Sequence, residues 1–370
     1  MIFGIYRGHA RMAIGSKNEE LRQRRLFSPA KNGRRNVPLP GDVFRLEEVA
    51  IHFDSAENLY DKWPAPVCII SDGPYGVSGF PGDEHKTDTL VEWYKPHVRA
   101  WSERATAETT LWFWGTELGW ATVHPLLESE GWEYRCCNIW DKGMSHVAGN
   151  ANTQTLRKFP VVTEVCVHYV KAARFPSGGA MLSMQDWLRA EWQRTGLAFR
   201  LANDACGVLN AATRKYLTGD HLWYYPPVEA FVKLAEYANR LGAPAGRPYF
   251  SLDGKVPIPA QVWAKMRAKF CCEVGITNVW REPQVAGQER IQGQRNGMKY
   301  KFRSLHGSQK PLRFIELAVR SSTDAGDVVW EPFGGLCPGA VVCHHLGRSY
   351  FGAEVVPEFF SAAIERLANS

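Results

Sequence analysis

The sequence has no two cysteines spaced as C-x-x-C. Its nine cysteines are odd in number and fall either singly or as the adjacent pairs Cys136-Cys137 and Cys271-Cys272. Structural zinc sites use ligand pairs two to four residues apart, so no metal site is expected. An odd count in a chain of 370 residues, with no apolar signal segment at its opening, also argues against a disulfide framework. The expected compartment is therefore reducing, the cytoplasm. Cys68, Cys166 and Cys343 sit in apolar runs and read as small buried hydrophobes. No run approaches 18 apolar residues, so no membrane span is expected.

What is present describes a globular chain, with 22% charged and 45% hydrophobic residues. The length suits two domains, or one large domain with an inserted module. The net charge of +6 is unevenly placed. Residues 1–36 carry a local +7 and residues 171–300 a local +8, which leaves −9 for the rest. Counts alone fit either ordinary polar loops or a nucleic-acid partner.

Residues 1–36 are basic and aperiodic and read as a loosely held arm. Order begins at Pro38-Leu39-Pro40-Gly41-Asp42. Pro66 to Ser71 is a short apolar run closed by Asp72-Gly73-Pro74-Tyr75-Gly76, the pattern of a buried parallel strand with a loop at its C-terminal end. Residues 87–107 read as a helix, 110–114 as a second buried strand and 119–130 as another helix. Further strands are expected at 132–140 and 161–170. From 171 to 242 the pattern turns helical, and 256–270 reads as one more helix. The last seventy residues return to alternation: helix 311–320, strand 327–330, helix 338–346, strand 349–354 and helix 357–368. One of His344 and His345 is expected to face the core. The fold class is α/β, a Rossmann-like, mostly parallel sheet built from both ends of the chain, with a helical module inserted. The expected division is an arm at 1–36, a first catalytic part at 37–170, the module at 171–270 and a second catalytic part at 271–370.

Two loops carry chemistry. In the first, Glu331 closes a strand, Gly334 and Gly335 allow a tight turn, a helix follows, and Glu354 ends the next strand 23 residues later. In nucleotide-binding α/β folds an acid at about that distance holds ribose hydroxyls, because a carboxylate accepts two hydrogen bonds from a cis-diol. The unit is not G-x-G-x-x-G and lacks the Walker lysine, which counts against a dinucleotide or ATP. Alone, it also fits an ordinary βαβ crossover. In the second loop, Asp72 and the Gly73 carbonyl can each accept from an exocyclic amino group. Pro74 offers no competing N–H, and Tyr75 offers a ring on which a base can stack. Alone, this is also a plain turn.

Together the loops resemble the S-adenosylmethionine-dependent DNA amino-methyltransferases, which methylate adenine N6 or cytosine N4. Asp72-Gly73-Pro74-Tyr75 looks like the (D/N/S)-P-P-(Y/F) catalytic motif. His306-Gly307-Ser308-Gln309-Lys310-Pro311-Leu312 resembles the stretch before the cofactor loop, and Glu331-Pro332-Phe333-Gly334-Gly335 the D-P-F-x-G loop. Gly347-Arg348, Gly352 and Glu354, with Arg366, match its tail. The catalytic motif precedes the cofactor loop, as in the permuted β class of restriction–modification and orphan enzymes. The resemblance implies catalytic roles for Asp72, Gly73, Pro74 and Tyr75. It implies S-adenosylmethionine at Asp42, His306, Lys310, Glu331, Pro332, Phe333, Gly334, Gly335 and Glu354. Departures are Gly73 for the first proline, Glu331 for the loop aspartate, and Leu336-Cys337-Pro338-Gly339 for S-G-T-T; the last is expected to reshape the methionine pocket.

Residues 201–217 read as helix, tight turn at Gly207 and helix, with Val208 packed under the turn. This resembles a helix-turn-helix whose second helix carries Asn210, Thr213, Arg214 and Lys215 toward base edges; an ordinary αα-hairpin has the same pattern. Trp223-Tyr224-Tyr225 is expected in the module's core. The expected function is methylation of a flipped base in duplex DNA, with adenine N6 and cytosine N4 both open. A homodimer and a cognate restriction endonuclease are partners consistent with this family. The competing readings are a DNA-binding protein with a degenerate, inactive cofactor pocket, and an RNA methyltransferase.

Overall fold

The computed structural model of the chain describes residues 37–77, 86–147, 154–295 and 298–370. The basic arm at 1–36 lies outside the described residues. In chain order the first elements are strands β1 (Asp42–Leu46) and β2 (Val49–Phe53), then β3 (Cys68–Ser71), helix α1 (Leu90–Arg104), β4 (Thr110–Gly115), α2 (Glu117–Ser129), β5 (Trp132–Asp141) and β6 (Thr163–Lys171). There follow β7 (Arg174–Ser177), β8 (Ala180–Ser183), α3 (Met184–Arg194), α4 (Leu201–Cys206), α5 (Val228–Leu241) and α6 (Ala260–Ala264). The last are β9 (Val279–Arg281), β10 (Gln292–Arg295), β11 (Met298–Ser304), α7 (Leu312–Ser322), β12 (Val328–Glu331), α8 (Pro338–Leu346), β13 (Ser349–Glu354) and α9 (Pro357–Ala368). No described helix is long and apolar enough to cross a membrane.

The chain divides into two compact units. Among the described residues, the first comprises 37–77, 86–105, 109–147, 154–171, 269–295 and 298–370 and holds a nine-stranded sheet in the order β1-β2-β13-β12-β3-β4-β6-β5-β9. Five of its eight pairings are parallel: β2–β13, β13–β12, β12–β3, β3–β4 and β5–β9. Its central strands are continuously buried, with Cys68-Ile69-Ile70-Ser71 and Thr110–Gly115 covered on both faces. That is why they read as unbroken apolar runs rather than alternating ones. β6 runs antiparallel between β4 and β5. Because β3, β12, β13 and β2 are mutually parallel, their C-terminal ends open on one edge, where ligands of open α/β sheets bind.

The β1–β2 hairpin was not anticipated. β1 alternates buried and half-buried residues, the sheet-edge pattern, and β2 pairs with β13 in the register Phe53↔Glu354. Cys68, Cys166 and Cys343 are fully buried, as expected. His344 is half-buried beside the Glu47 carboxylate at 3.6 Å, and His345 is exposed.

The second unit comprises 106–108 and 172–268. Its core gathers Trp187, Leu188, Trp192, Phe231, Leu234 and Trp263. It is not helical from its start: β7 and β8 form a hairpin turned at Gly178 and Gly179, both at positive φ, a conformation that glycine adopts without a Cβ clash. The expected helix at 256–270 shrinks to α6, because Pro257 and Pro259 hold the preceding chain extended. α4 ends at Gly207 with φ 67°, as a turn there requires. The second helix of the expected helix-turn-helix is instead one five-residue π-turn, Ala212–Tyr216. Val208 does not pack under the turn but is 39% exposed. Trp223 and Tyr225 pack on the core, and Tyr224 is exposed.

Candidate active site

A cavity of about 600 Å³ opens at the C-terminal edge of the parallel strands. The segment after β3 contributes Asp72 to Tyr75, that after β12 contributes Pro332 to Leu336, the end of β13 contributes Glu354, and the segment after β2 contributes Asp54 to Glu57. His306 to Lys310, Lys142 and Glu164 add further polar groups to its lining.

On the β12–β13 side the Glu354 carboxylate is nine-tenths buried and accepts three backbone N–H bonds. They come from Gly335 at 2.6 Å, Val355 at 2.9 Å and Val356 at 2.7 Å. Burial nonetheless pushes its pKa up to about 7, with the N–H bonds pulling against it. Phe333 forms a wall, its ring held 5.0 Å from Trp93 and 4.9 Å from His97 between centroids. The glycines are required: a Cβ on Gly334 would stand 2.6 Å from Cys337 Sγ, and Gly335 has φ 54°. Cys337 stands where the family pattern has glycine and keeps the left-handed backbone, φ 44°, so the turn survives the departure.

Two expected cofactor residues lie away from the cavity. Asp42 sits on β1, where its carboxylate takes the Leu39 N–H at 2.7 Å. Glu331 is buried behind the loop, bonded by the Tyr350 hydroxyl at 2.5 Å and the Gly339 N–H at 3.1 Å. It braces the turn into α8. Burial pushes its pKa up to about 8, against the Tyr350 and Gly339 bonds. A carboxyl raised in the folded state contributes stability that is complete below its unfolded value near 4.5 and is lost as pH rises through 8. Glu331→Gln should therefore flatten this part of the pH dependence. Its unfolding free energy relative to the parent should rise by on the order of 4 kcal/mol between pH 4 and 9, measured by urea titration at both.

On the β3 side Asp72 Oδ1 is held twice, by the Tyr75 hydroxyl at 2.7 Å and by the Lys310 ammonium at 2.9 Å. No described residue donates to Oδ2 or to the Gly73 carbonyl. Pro74 carries its carbonyl to the Tyr94 hydroxyl at 3.1 Å. Lys310, expected against the cofactor, is instead buried between carboxylates. It donates to the Ser308 carbonyl at 2.9 Å and lies 3.5 Å from Glu164 Oε2. Burial alone would lower its pKa; Asp72 and Glu164 together overcome that and raise it. His306 has its Nδ1 buried without a partner among the described residues, and its ring meets Phe359 at 4.8 Å.

Sequence reasoning missed Glu164, Lys142 and the Asp54–Glu57 segment. Glu164 had a signal: it is a carboxylate in the largely buried strand β6, and a charge there requires partners. The segment after β2 had none, since β2 itself was not recognised.

In the second unit Asn210, Arg214 and Lys215 are exposed. Thr213 is not free to read a base. Its hydroxyl donates to the Asn210 carbonyl at 3.0 Å, and its N–H donates to the Asn203 side chain at 3.1 Å.

The family model described as DNA methylase matches residues 67–365. The type II methyltransferase M.HpaI of Haemophilus parainfluenzae is 39% identical over 67 residues, 18% of this chain and 21% of that protein. M.HinfI of Haemophilus influenzae is 31% identical over 90 residues, 24% of this chain and 23% of that protein. The chain thus spans less than a quarter of the length of these curated relatives. Among solved structures, the M1.HpyAVI–SAM complex aligns with 86% of this chain and 98% of its own at 13% identity and a TM-score of 0.44.

Proposed function

Because the chain belongs to the DNA methylase family, we propose that it moves a methyl group from S-adenosylmethionine to the exocyclic amino group of a base, adenine N6 or cytosine N4, in duplex DNA. The observation that carries this reading is the meeting of Asp72-Gly73-Pro74-Tyr75 and Glu354 in one cavity. A base stacked in a duplex cannot reach such a cavity, so the target is flipped.

The residues present fit the cofactor. Glu354 supplies an acceptor for the ribose diol, Phe333 a wall for the adenine, the turn at Gly334-Gly335 a close backbone approach, and His306 Nδ1 a buried polar atom without a partner among the described residues. When bound, S-adenosylmethionine supplies an electrophilic methyl group. Asp72 Oδ2 and the Gly73 carbonyl are two acceptors for the two N–H bonds of the target amine, and holding both aims the nitrogen lone pair away from the turn. The Tyr75 ring is the stacking surface, its hydroxyl fixed on Asp72. Asp72 Oδ2 is also placed to take the proton the methylated amine must lose. Proximity and orientation then supply much of the rate enhancement. In the second unit, Asn210, Arg214 and Lys215 are the proposed DNA contacts, with Thr213 holding the turn that presents them.

The test is methylome sequencing of a host expressing the chain. The expected result is one modified base, N6-methyladenine or N4-methylcytosine, at a fixed sequence; an unmodified genome together with no methyl transfer by the purified protein would overturn the proposal. Glu354→Ala should weaken S-adenosylmethionine binding about 10- to 100-fold by calorimetry, the worth of one or two charge-assisted hydrogen bonds.

A further inference from the structure

Four charged side chains meet beneath the Asp72 turn. Lys310, 1% exposed, bridges Asp72 and Glu164. Glu164 in turn ion-pairs through Oε1 with the buried Lys142, and its Oε2 lies 3.4 Å from the Tyr75 hydroxyl. Two carboxylates and two ammonium groups make the cluster neutral. The Lys310 ammonium donates to the Ser308 carbonyl and is ion-paired with Asp72 at 2.9 Å and with Glu164 at 3.5 Å. These three partners of Lys310 are all groups of the protein itself. Its effect is on Asp72, whose Oδ1 it shares with Tyr75, so that Oδ2 alone stays available.

We infer that Glu164 is a positioning residue for methyl transfer: acting through Lys310, it fixes the orientation in which Asp72 presents Oδ2. The inference rests on the amino-methyltransferase reading for its catalytic consequence, but the geometry stands independently. Without Glu164, Lys310 loses one of the two carboxylates that fix it, and Lys310 is one of the two groups that hold Asp72. Charge balance can be separated from positioning. Asp72 with Lys310 is already neutral, so Glu164 with Lys142 could be removed together without leaving a net charge.

That pairing supplies the test. Glu164→Gln should lower kcat about 10- to 100-fold while leaving calorimetric binding of S-adenosylmethionine within about twofold, because Glu354 and Phe333 are untouched. The double variant Glu164→Gln/Lys142→Met restores neutrality. It should regain the thermal stability of the parent yet keep the low kcat. Full recovery of kcat in the double variant, or an unchanged kcat in a folded Glu164→Gln, would overturn the inference. A readout without activity separates this from failure of the parent reading. The Lys310 ammonium, identified by its loss in Lys310→Met, should give a slowly exchanging 15Nζ signal in the parent that broadens in Glu164→Gln. If the parent protein transfers no methyl group, the proposed function fails while this signal still decides the network; a signal unaffected by Glu164→Gln overturns the network itself.

Discussion

Asp72→Ala is expected to lower methyl transfer about 100- to 1,000-fold, the usual cost of removing a hydrogen-bond partner of the reacting group. S-adenosylmethionine binding should stay within about twofold. The two effects separate because the residues assigned to the cofactor sit after β12 and on β13, whereas Asp72 follows β3. The substitution also strips the buried Lys310 of its nearest carboxylate. A stability loss of about 3 kcal/mol should accompany it, as when one partner of a buried ion pair is removed. Thermal melts therefore belong beside the rate measurements, made well below the variant's melting temperature. Equal losses of cofactor binding and of rate would show that Asp72 does not act on the amine.

Gly73→Pro, the change that restores the family's motif, is expected to impair this protein rather than improve it. A Cβ at position 73 would stand 2.6 Å from the Tyr94 hydroxyl oxygen and 2.8 Å from Phe333 Cδ2. Neither neighbour can give way easily. Tyr94 is fully buried and donates to the Pro74 carbonyl, and Phe333 is enclosed by Trp93, His97 and Trp101. Overpacking of this kind costs about 1–3 kcal/mol. Because Phe333 lines the cavity, its displacement should also weaken S-adenosylmethionine binding about tenfold. Gly73→Ala should show the same effect, since the clash begins at Cβ. Tyr94→Phe removes the closest atom, so the Gly73→Ala/Tyr94→Phe pair should destabilise by clearly less than the sum of the two single changes. Additive losses would show that the glycine is not there to make room for Tyr94.

Where the sequence was legible, it was legible because burial on both faces leaves an unmistakable pattern. β3, β4 and β12 are short, largely apolar runs, and Asp72, Glu331-Pro332-Phe333 and Glu354 fall at or just past the ends of β3, β12 and β13. The parts that escaped depend on contacts far apart in the chain. β2 pairs locally with β1, but its place in the parallel sheet is set by β13, about 300 residues later. Glu331 carries the residue type of a ligand, yet Tyr350 and Gly339 turn it inward. Lys310 lies in the motif attributed to the cofactor, but Asp72 and Glu164 claim it. The expected recognition helix fell short for a local reason: Asn203 bonds the Thr213 backbone and side chain, so the chain winds into a π-turn instead of extending into a helix.

The pairing of β3 with β12 has a consequence for synthesis. Cys68 and Ile69 find their neighbours Val329 and Trp330 only after about 260 further residues have been made. At ribosomal rates of roughly 5–20 residues per second, that leaves a wait of about 15–50 s. Throughout it, the nascent sheet carries an unpaired apolar edge, the kind of surface on which chains misassociate. The residues of the second unit, by contrast, are all made before β12 emerges, and their core is assembled entirely from among themselves. The proposed DNA-contact residues can therefore be folded while the reaction site still lacks half its walls. On the proposed function, a nascent chain would hold its DNA contacts before its reaction site, with the apolar edge of the half-made sheet still to be covered.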